Sequence, residues 1–391
     1  MNLRTSIVLL LSFLFTACAV TWQEALQYGD VPEAFCDSVK TETYIGMMIV
    51  PVTIRGEEYR FLFDTGAPFS ISQRVQQACS FEKLTASTIV DSDNNEGNIE
   101  YVRVDSLYIG HTAFNNQTAF VGDFYSNPKI RCLNIDGIIG SNLMRHCNWT
   151  IDYENQQLSF FNTLPDTAAV IKVPFRTNQQ YDVLLELQMN EEKVKWVKLD
   201  YGFNGSLTIA DEVYNHLLDS GVVDTFLLET GFSRSGIIGA EVTIEDKISP
   251  LDSLLLGEVL FENIVFSSSS LSLLGTKLLS QYCVSIDWTN RMLYFTPTSS
   301  LQTSYKSYLF GAGYDEDKGI YVQSLVSCAS TAELGLQAGM SIRRINDLDF
   351  TKDTYCDYVE LMDQNPDTLH LVIQNGTSLL PMTLTKEVLF P

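Results

Sequence analysis

Histidine is nearly missing from this chain: four in 391 residues, His111, His146, His216 and His370. None lies within four residues of another, which excludes HExxH and the Cys/His zinc spacings. Basic residues are also scarce, 25 Lys and Arg against 48 Asp and Glu, a net charge of −23. Such an excess repels phosphate backbones, so no nucleic-acid partner is expected. No apolar run approaches the roughly 20 residues that span a bilayer. GxxxxGK[ST], a helix-opening GxGxxG and the GxSxG elbow are absent, so nucleotide and α/β-hydrolase readings have no support. What remains for chemistry is carboxylates, hydroxyls and backbone, with no cofactor and no metal expected. A 45% hydrophobic content is ample for packed cores, and the length suits two or three domains.

Residues 1–19 read as an export signal: Arg4, a nine-residue apolar core from Ile7 to Phe15, then Thr16-Ala17-Cys18-Ala19. FTAC resembles a bacterial lipobox. The resemblance implies lipidation of Cys18 and a periplasmic or outer-membrane-anchored lipoprotein, touching the membrane through its lipid only. Cleavage after Ala19 is the other reading and gives an unlipidated exported protein. Residues 20–40 read as a spacer or a removable pro-segment. Seven cysteines remain, Cys36, Cys79, Cys132, Cys147, Cys283, Cys328 and Cys356, an odd number. Cys132–Cys147 and Cys328–Cys356 are both possible bridges, and spacing establishes neither.

Residues 41–165 and 170–298 are two copies of one pattern. IIGSNLMRHCNWTIDYENQQLSFFNT (138–163) aligns without gaps to LLGTKLLSQYCVSIDWTNRMLYFTPT (273–298). DSLYIGHTAFNN (105–116) meets DSLLLGEVLFEN (252–263), and YRFLFDTG (59–66) corresponds to the run ending in Asp200-Tyr201-Gly202. The interval from Asp64 to Gly140 is 76 residues, and from Asp200 to Gly275 it is 75. Alternating β-branched and aromatic runs separated by turn residues predict two β lobes. Short helices are expected at Gln73 to Cys79 and Asp211 to Ser220.

Asp64-Thr65-Gly66 closes an apolar strand and opens a turn. Alone, such a triplet is ordinary turn material. Its recurrence as Asp200-Tyr201-Gly202, each followed by an apolar-apolar-Gly strand, is not. The constellation resembles the aspartic protease family, in both its retroviral-type and pepsin-like branches. The resemblance implies a mainly β fold of two barrel-like lobes about a pseudo-two-fold axis, with Asp64 and Asp200 catalytic. Thr65, Gly66 and Gly202 would support them. Two adjacent carboxyls cannot both ionise, so they share a proton and activate water without a histidine. A peptide or unfolded protein is the implied substrate. Tyr201 departs from the family, which has a small hydroxyl residue there to lock the opposite loop. The alternative is a degenerate peptide-binding or scaffold lipoprotein. Closing hairpins are expected at Thr88 to Tyr101 and Gly231 to Thr243. The acidic run Asp91 to Glu96 lacks EF-hand spacing and reads as a solvated turn.

Leu301 to Ser307 reads as a linker. Beyond it, AELGLQAGMSIRRIND (332–347) resembles the core signature of PDZ domains, giving an α+β module over 303–388. By that resemblance Phe310, Gly311, Ala312 and Gly313 form a carboxylate-binding loop, with a peptide end as the possible ligand. Helices are expected over Ser330 to Leu336 and from Asp353, as cap, to Gln364.

Overall fold

The computed structural model describes residues 20–91, 95–165, 171–234, 236, 240–298, 306–327, 334–352 and 354–390. The expected export signal, Cys18 and Cys328 therefore lie outside the described residues. Strands make up 54% and helices 13%, so the chain is mainly β.

The two copies fold alike. In the first, the strands run in the order Glu42–Tyr44, Met47–Ile54, Glu57–Phe63, Gly137–Ile139, Ser70–Ser72, Thr112–Gly122, Glu96–Ile109, Glu82–Val90. In the second, the order is Arg176–Thr177, Val183–Met189, Glu192–Leu199, Leu273–Leu274, Leu207–Ala210, Val259–Ser269, Val242–Leu256, Leu227–Ser233. Each path turns back on itself, through Thr53 opposite Tyr108 and through Gln188 opposite Leu255. The period-two pattern explains why. Met48, Val50, Val52 and Ile54 point to one face of their strand and are completely buried. The expected helices form at Gln73–Cys79 and Asp211–Asp219.

A six-stranded sheet joins the copies, in the order Cys36–Lys40, Gln157–Phe161, Asn148–Asp152, Tyr282–Asp287, Met292–Pro297, Ile171–Pro174. Its centre is the pair Thr150 and Ser285, whose hydroxyls lie 2.7 Å apart. Residues 20–40 are therefore not a spacer. Cys36–Lys40 pairs with Gln157–Phe161 exactly where Ile171–Pro174 pairs with Met292–Pro297 in the second copy. Upstream, Ala25 and Leu26 are buried, and the Ala25 carbonyl accepts the Thr118 hydroxyl at 2.5 Å. The segment is held because it completes a sheet edge and covers apolar surface.

The C-terminal module has strands Phe310–Asp315, Gly319–Val326, Ser341–Ile345, Thr368–Asn375 and Ser378–Thr385, with a helix over Tyr355–Asp363. Ile320, Val322, Ile342, Ile345, Leu369, Leu371 and Ile373 form its own core. The helix cap is Thr354 rather than Asp353, which lies outside the described residues. The Thr354 hydroxyl accepts the Asp357 N–H at 3.3 Å and the Asp357 carboxylate accepts the Thr354 N–H at 2.6 Å, a capping box. Most of the helix expected over Ser330 to Leu336 is also outside the described residues. Lys306–Ser307, the end of the expected linker, pairs with Glu387–Val388.

The module is tied to both lobes. Glu229, Thr230 and Gly231 of the second lobe pair with Val326, Leu325 and Ser324, which makes the two sheets continuous. Cys132 of the first lobe is bonded to Cys356. Neither bridge suggested by spacing forms among the described residues, because Cys147 is buried within the lobe core and Cys132 sits on the short Pro128–Leu133 helix facing the module. No helix among the described residues is long and apolar enough to cross a membrane.

Candidate active site

Each aspartate follows a strand held in parallel pairing by the apolar-apolar-Gly strand of its own copy. Phe63 lies opposite Ile139 and Leu199 opposite Leu274. The backbone N–H of Asp64 donates to the Ile139 carbonyl at 3.0 Å, and that of Asp200 to the Leu274 carbonyl at 2.9 Å. Both aspartates thus leave the ends of buried strands at fixed positions, which is how two apolar runs 75 or 76 residues away in sequence aim a carboxylate.

The two turns meet face to face, each glycine set against the carboxyl of the opposite aspartate. Each turn also binds its own aspartate. The Gly66 N–H donates to Asp64 Oδ1 at 2.7 Å, and the Gly202 N–H to Asp200 Oδ1 at 2.8 Å. Glycine is required at both positions by the approach of the opposite aspartate. A Cβ on Gly66 would stand 2.3 Å from Asp200 Oδ2, and one on Gly202 would stand 2.3 Å from Asp64 Oδ2. Burial, and after it the Asp200 charge, raises the proton affinity of Asp64 well above that of an ordinary carboxylate. Burial also raises Asp200, while the Lys198 cation and the Gly202 N–H oppose it. Burial and mutual repulsion thus both favour the protonated form at this pair over two separate carboxylates.

Thr65 is completely buried beneath the pair. Its hydroxyl donates to the Leu199 carbonyl at 2.6 Å and accepts the Tyr201 N–H at 3.2 Å, so it bonds the other lobe twice. Tyr201 returns no such bond. Its ring is completely buried, edge-on to Phe63 at 5.7 Å and stacked on Tyr153 at 6.1 Å. Its hydroxyl has no hydrogen-bond partner among the described residues. The bulky ring does not displace its turn, because it points away from the carboxyls into this aromatic layer.

Lys198 and Asp182 went unnoticed in the sequence. The Lys198 ammonium donates to the Gly66 carbonyl at 3.1 Å and pairs with Asp182 Oδ2 at 3.1 Å. Asp182 is buried and is held by the Asn178 side-chain amide at 2.8 Å. The repeat carried the signal: Lys198 occupies the position of Leu62 in an otherwise matching apolar strand.

Both expected hairpins form, from Glu82–Val90 with Glu96–Ile109 and from Leu227–Ser233 with Val242–Leu256. Their ends approach each other. Asn95 of the first reaches the Ala240 carbonyl of the second at 3.5 Å, and the amide of Asn127, which caps the Pro128–Leu133 helix, reaches the Gly236 carbonyl at 2.9 Å. The second hairpin is the one paired to the C-terminal module. Ser324 donates to the Glu229 carboxylate at 2.5 Å, and Tyr321 bonds Glu241.

Phe310, Gly311, Ala312 and Gly313 form no loop. They lie in a strand paired with Gly319–Val326, with a bulge between Gly311 and Ala312. The Tyr355 hydroxyl donates to the Ala312 carbonyl at 3.3 Å, and Arg131 of the first lobe lies over the Tyr314 ring at 5.6 Å. The Pro128–Leu133 helix and the Cys132–Cys356 bond thus sit beside the strand that was expected to take a peptide end.

Paired carboxyls on two symmetric turns define a carboxylate-dyad site shared by two β lobes. Residues 50–143 match the model of the aspartyl protease family. The match holds Asp64, Thr65, Gly66 and the Gly137–Ile139 strand; Asp200 lies beyond it and enters through the internal repeat. No curated protein matches the chain.

Proposed function

We propose that the protein is an aspartic-type endopeptidase with Asp64 and Asp200 as its catalytic dyad. The observation that carries this reading is the reciprocal fit of the two turns, each glycine against the opposite carboxylate. A dyad holding one proton can bind a water between its members. The ionised carboxyl takes a proton from that water as its oxygen bonds the peptide carbon. The protonated carboxyl donates to the carbonyl oxygen, and a proton then passes to the nitrogen as the C–N bond breaks. An extended peptide or unfolded protein suits a site placed between two hairpins. In the same reading residues 303–388 are a PDZ-type module, and the N-terminal segment directs export, with lipidation at Cys18, to a bacterial envelope. A peptide-binding relative without catalysis is the second reading, favoured by the unpartnered Tyr201 hydroxyl.

The test is cleavage of an unfolded protein between pH 3 and 7 by wild type, Asp64→Asn and Asp200→Asn. Each variant should lose the roughly 10²–10⁴-fold that acid–base catalysis contributes. Equal cleavage by Asp64→Asn and wild type rejects the dyad, and a folded wild type that binds peptide without cleaving it supports the second reading.

A further inference from the structure

The two turns are bonded across the lobes asymmetrically. From the first lobe, Thr65 makes both of its bonds to the second. From the second lobe, the residue at the equivalent position is Tyr201, whose hydroxyl reaches no partner among the described residues. A bond in the return direction nevertheless exists. It starts three residues earlier, at Lys198, and ends on the carbonyl of Gly66, the glycine whose N–H holds Asp64.

We propose that Lys198 is a positioning residue that replaces the missing half of the cross-lobe lock and sets a fixed cation beside the dyad. Three features make the side chain suited to this. It is only 19% exposed, so its charge is poorly screened by water. It is held at its far end by Asp182, itself 6% exposed and fixed by Asn178, so the ammonium has one position. Its second bond goes to the Gly66 carbonyl of the other lobe.

The titratable groups facing Lys198 and the pair are Asp182, Asp64, Asp200, Tyr153 and Tyr201, with the Cys283 thiol, itself kept protonated by burial, behind Tyr201. The two tyrosines are kept protonated by burial, so among these groups Lys198 is the one cation set against three carboxyls. A cation stabilises the singly ionised dyad against the doubly protonated one, and so extends that form toward lower pH. Asp182 holds the cation, and its own charge acts on Asp200 in the opposite sense and more weakly than Lys198 does. This inference deepens the peptidase reading and rests on it for its effect on rate. Its effect on the carboxyls holds whether or not the protein cleaves peptides.

The experiment compares the full chain with Lys198→Met/Asp182→Asn, Asp182→Asn, Lys198→Met and Lys198→Arg. The double variant removes the orphaned carboxylate that Lys198→Met would leave buried, which protects folding. Side-chain carboxyl titration of Asp64 and Asp200 by carbon-13 NMR is read alongside the pH dependence of kcat/KM. In Lys198→Met the lower titration step should rise by about one pH unit or more, the ordinary effect of losing an opposite charge at close range, and in the double variant it should rise by less, because the opposing Asp182 charge is gone too. The acid limb of kcat/KM should move with it. Lys198→Arg should restore both, since it keeps the charge. Carboxyls that titrate as in wild type in folded Lys198→Met, or in the double variant as in Asp182→Asn alone, overturn the proposal. Absence of cleavage by wild type would instead reject the peptidase reading, and the carboxyl titration would still decide the role of Lys198.

Discussion

The Thr65 hydroxyl donates across the lobe boundary to the Leu199 carbonyl at 2.6 Å, one residue before Asp200. Because the same oxygen accepts the Tyr201 N–H, a single side chain fixes the backbone on both sides of Asp200. Thr65→Val keeps the shape and removes both bonds, leaving two buried backbone groups without partners. It should cost about 1–3 kcal/mol in denaturant midpoint experiments and lower kcat more than it raises KM. Thr65→Ser, which keeps the hydroxyl, should stay close to wild type in both measurements.

Asp64 should weaken the fold as pH rises. Its proton affinity is raised in the native state by burial and by Asp200, so the native protein retains a proton that the unfolded chain has lost. Stability is therefore lost as pH climbs from about 3.9, the value of a free Asp, through the raised native value. Asp64→Asn should have a higher Tm than wild type at pH 7, and the difference should shrink below about pH 4. Thermal unfolding across that range checks the sign.

Tyr201 contributes its ring to the fold and nothing through its hydroxyl. Tyr201→Phe removes a buried polar atom without a partner and should leave stability unchanged or raise it by about 1 kcal/mol. Tyr201→Thr supplies a small hydroxyl but empties the space between Phe63 and Tyr153, which should cost roughly 3–5 kcal/mol. Chemical denaturation of the two variants separates these effects. A rate measured for Tyr201→Thr must be set beside its folded fraction.

The Cys132–Cys356 bond spans 224 residues and links the first lobe to the module that pairs with the second hairpin. Replacing both cysteines by serine should cost about 2–5 kcal/mol. Amide hydrogen exchange should quicken at Glu229–Gly231 and Ser324–Val326, where the shared sheet edge is no longer held from the far side. Exchange in Asn148–Asp152 and Tyr282–Asp287, at the centre of the six-stranded sheet, should change least. Mass spectrometry of the two segments decides between these.

The sequence by itself determined the two lobes, because a period-two apolar pattern repeated at a near-constant offset leaves a chain few ways to bury its strands. The two aspartates were legible for the same reason: equivalent turns in a duplicated fold must face each other across the axis that relates the copies. The strand Cys36–Lys40 reads as spacer, because its composition is polar and carries little apolar signal, although it stands one full repeat before Ile171–Pro174. The tertiary structure alone decided the rest. Cys132 and Cys356 pair because two surface helices from different modules meet, and no spacing rule reports that. Phe310 to Gly313 became a strand because Gly319–Val326 offered it a partner edge. Lys198 faces the first lobe's turn because Asp182 and Gly66 arrive there from other segments, and a lone lysine in a strand does not show which charge it will meet. Local pattern fixes which atoms are buried; only packing decides which buried polar groups become partners.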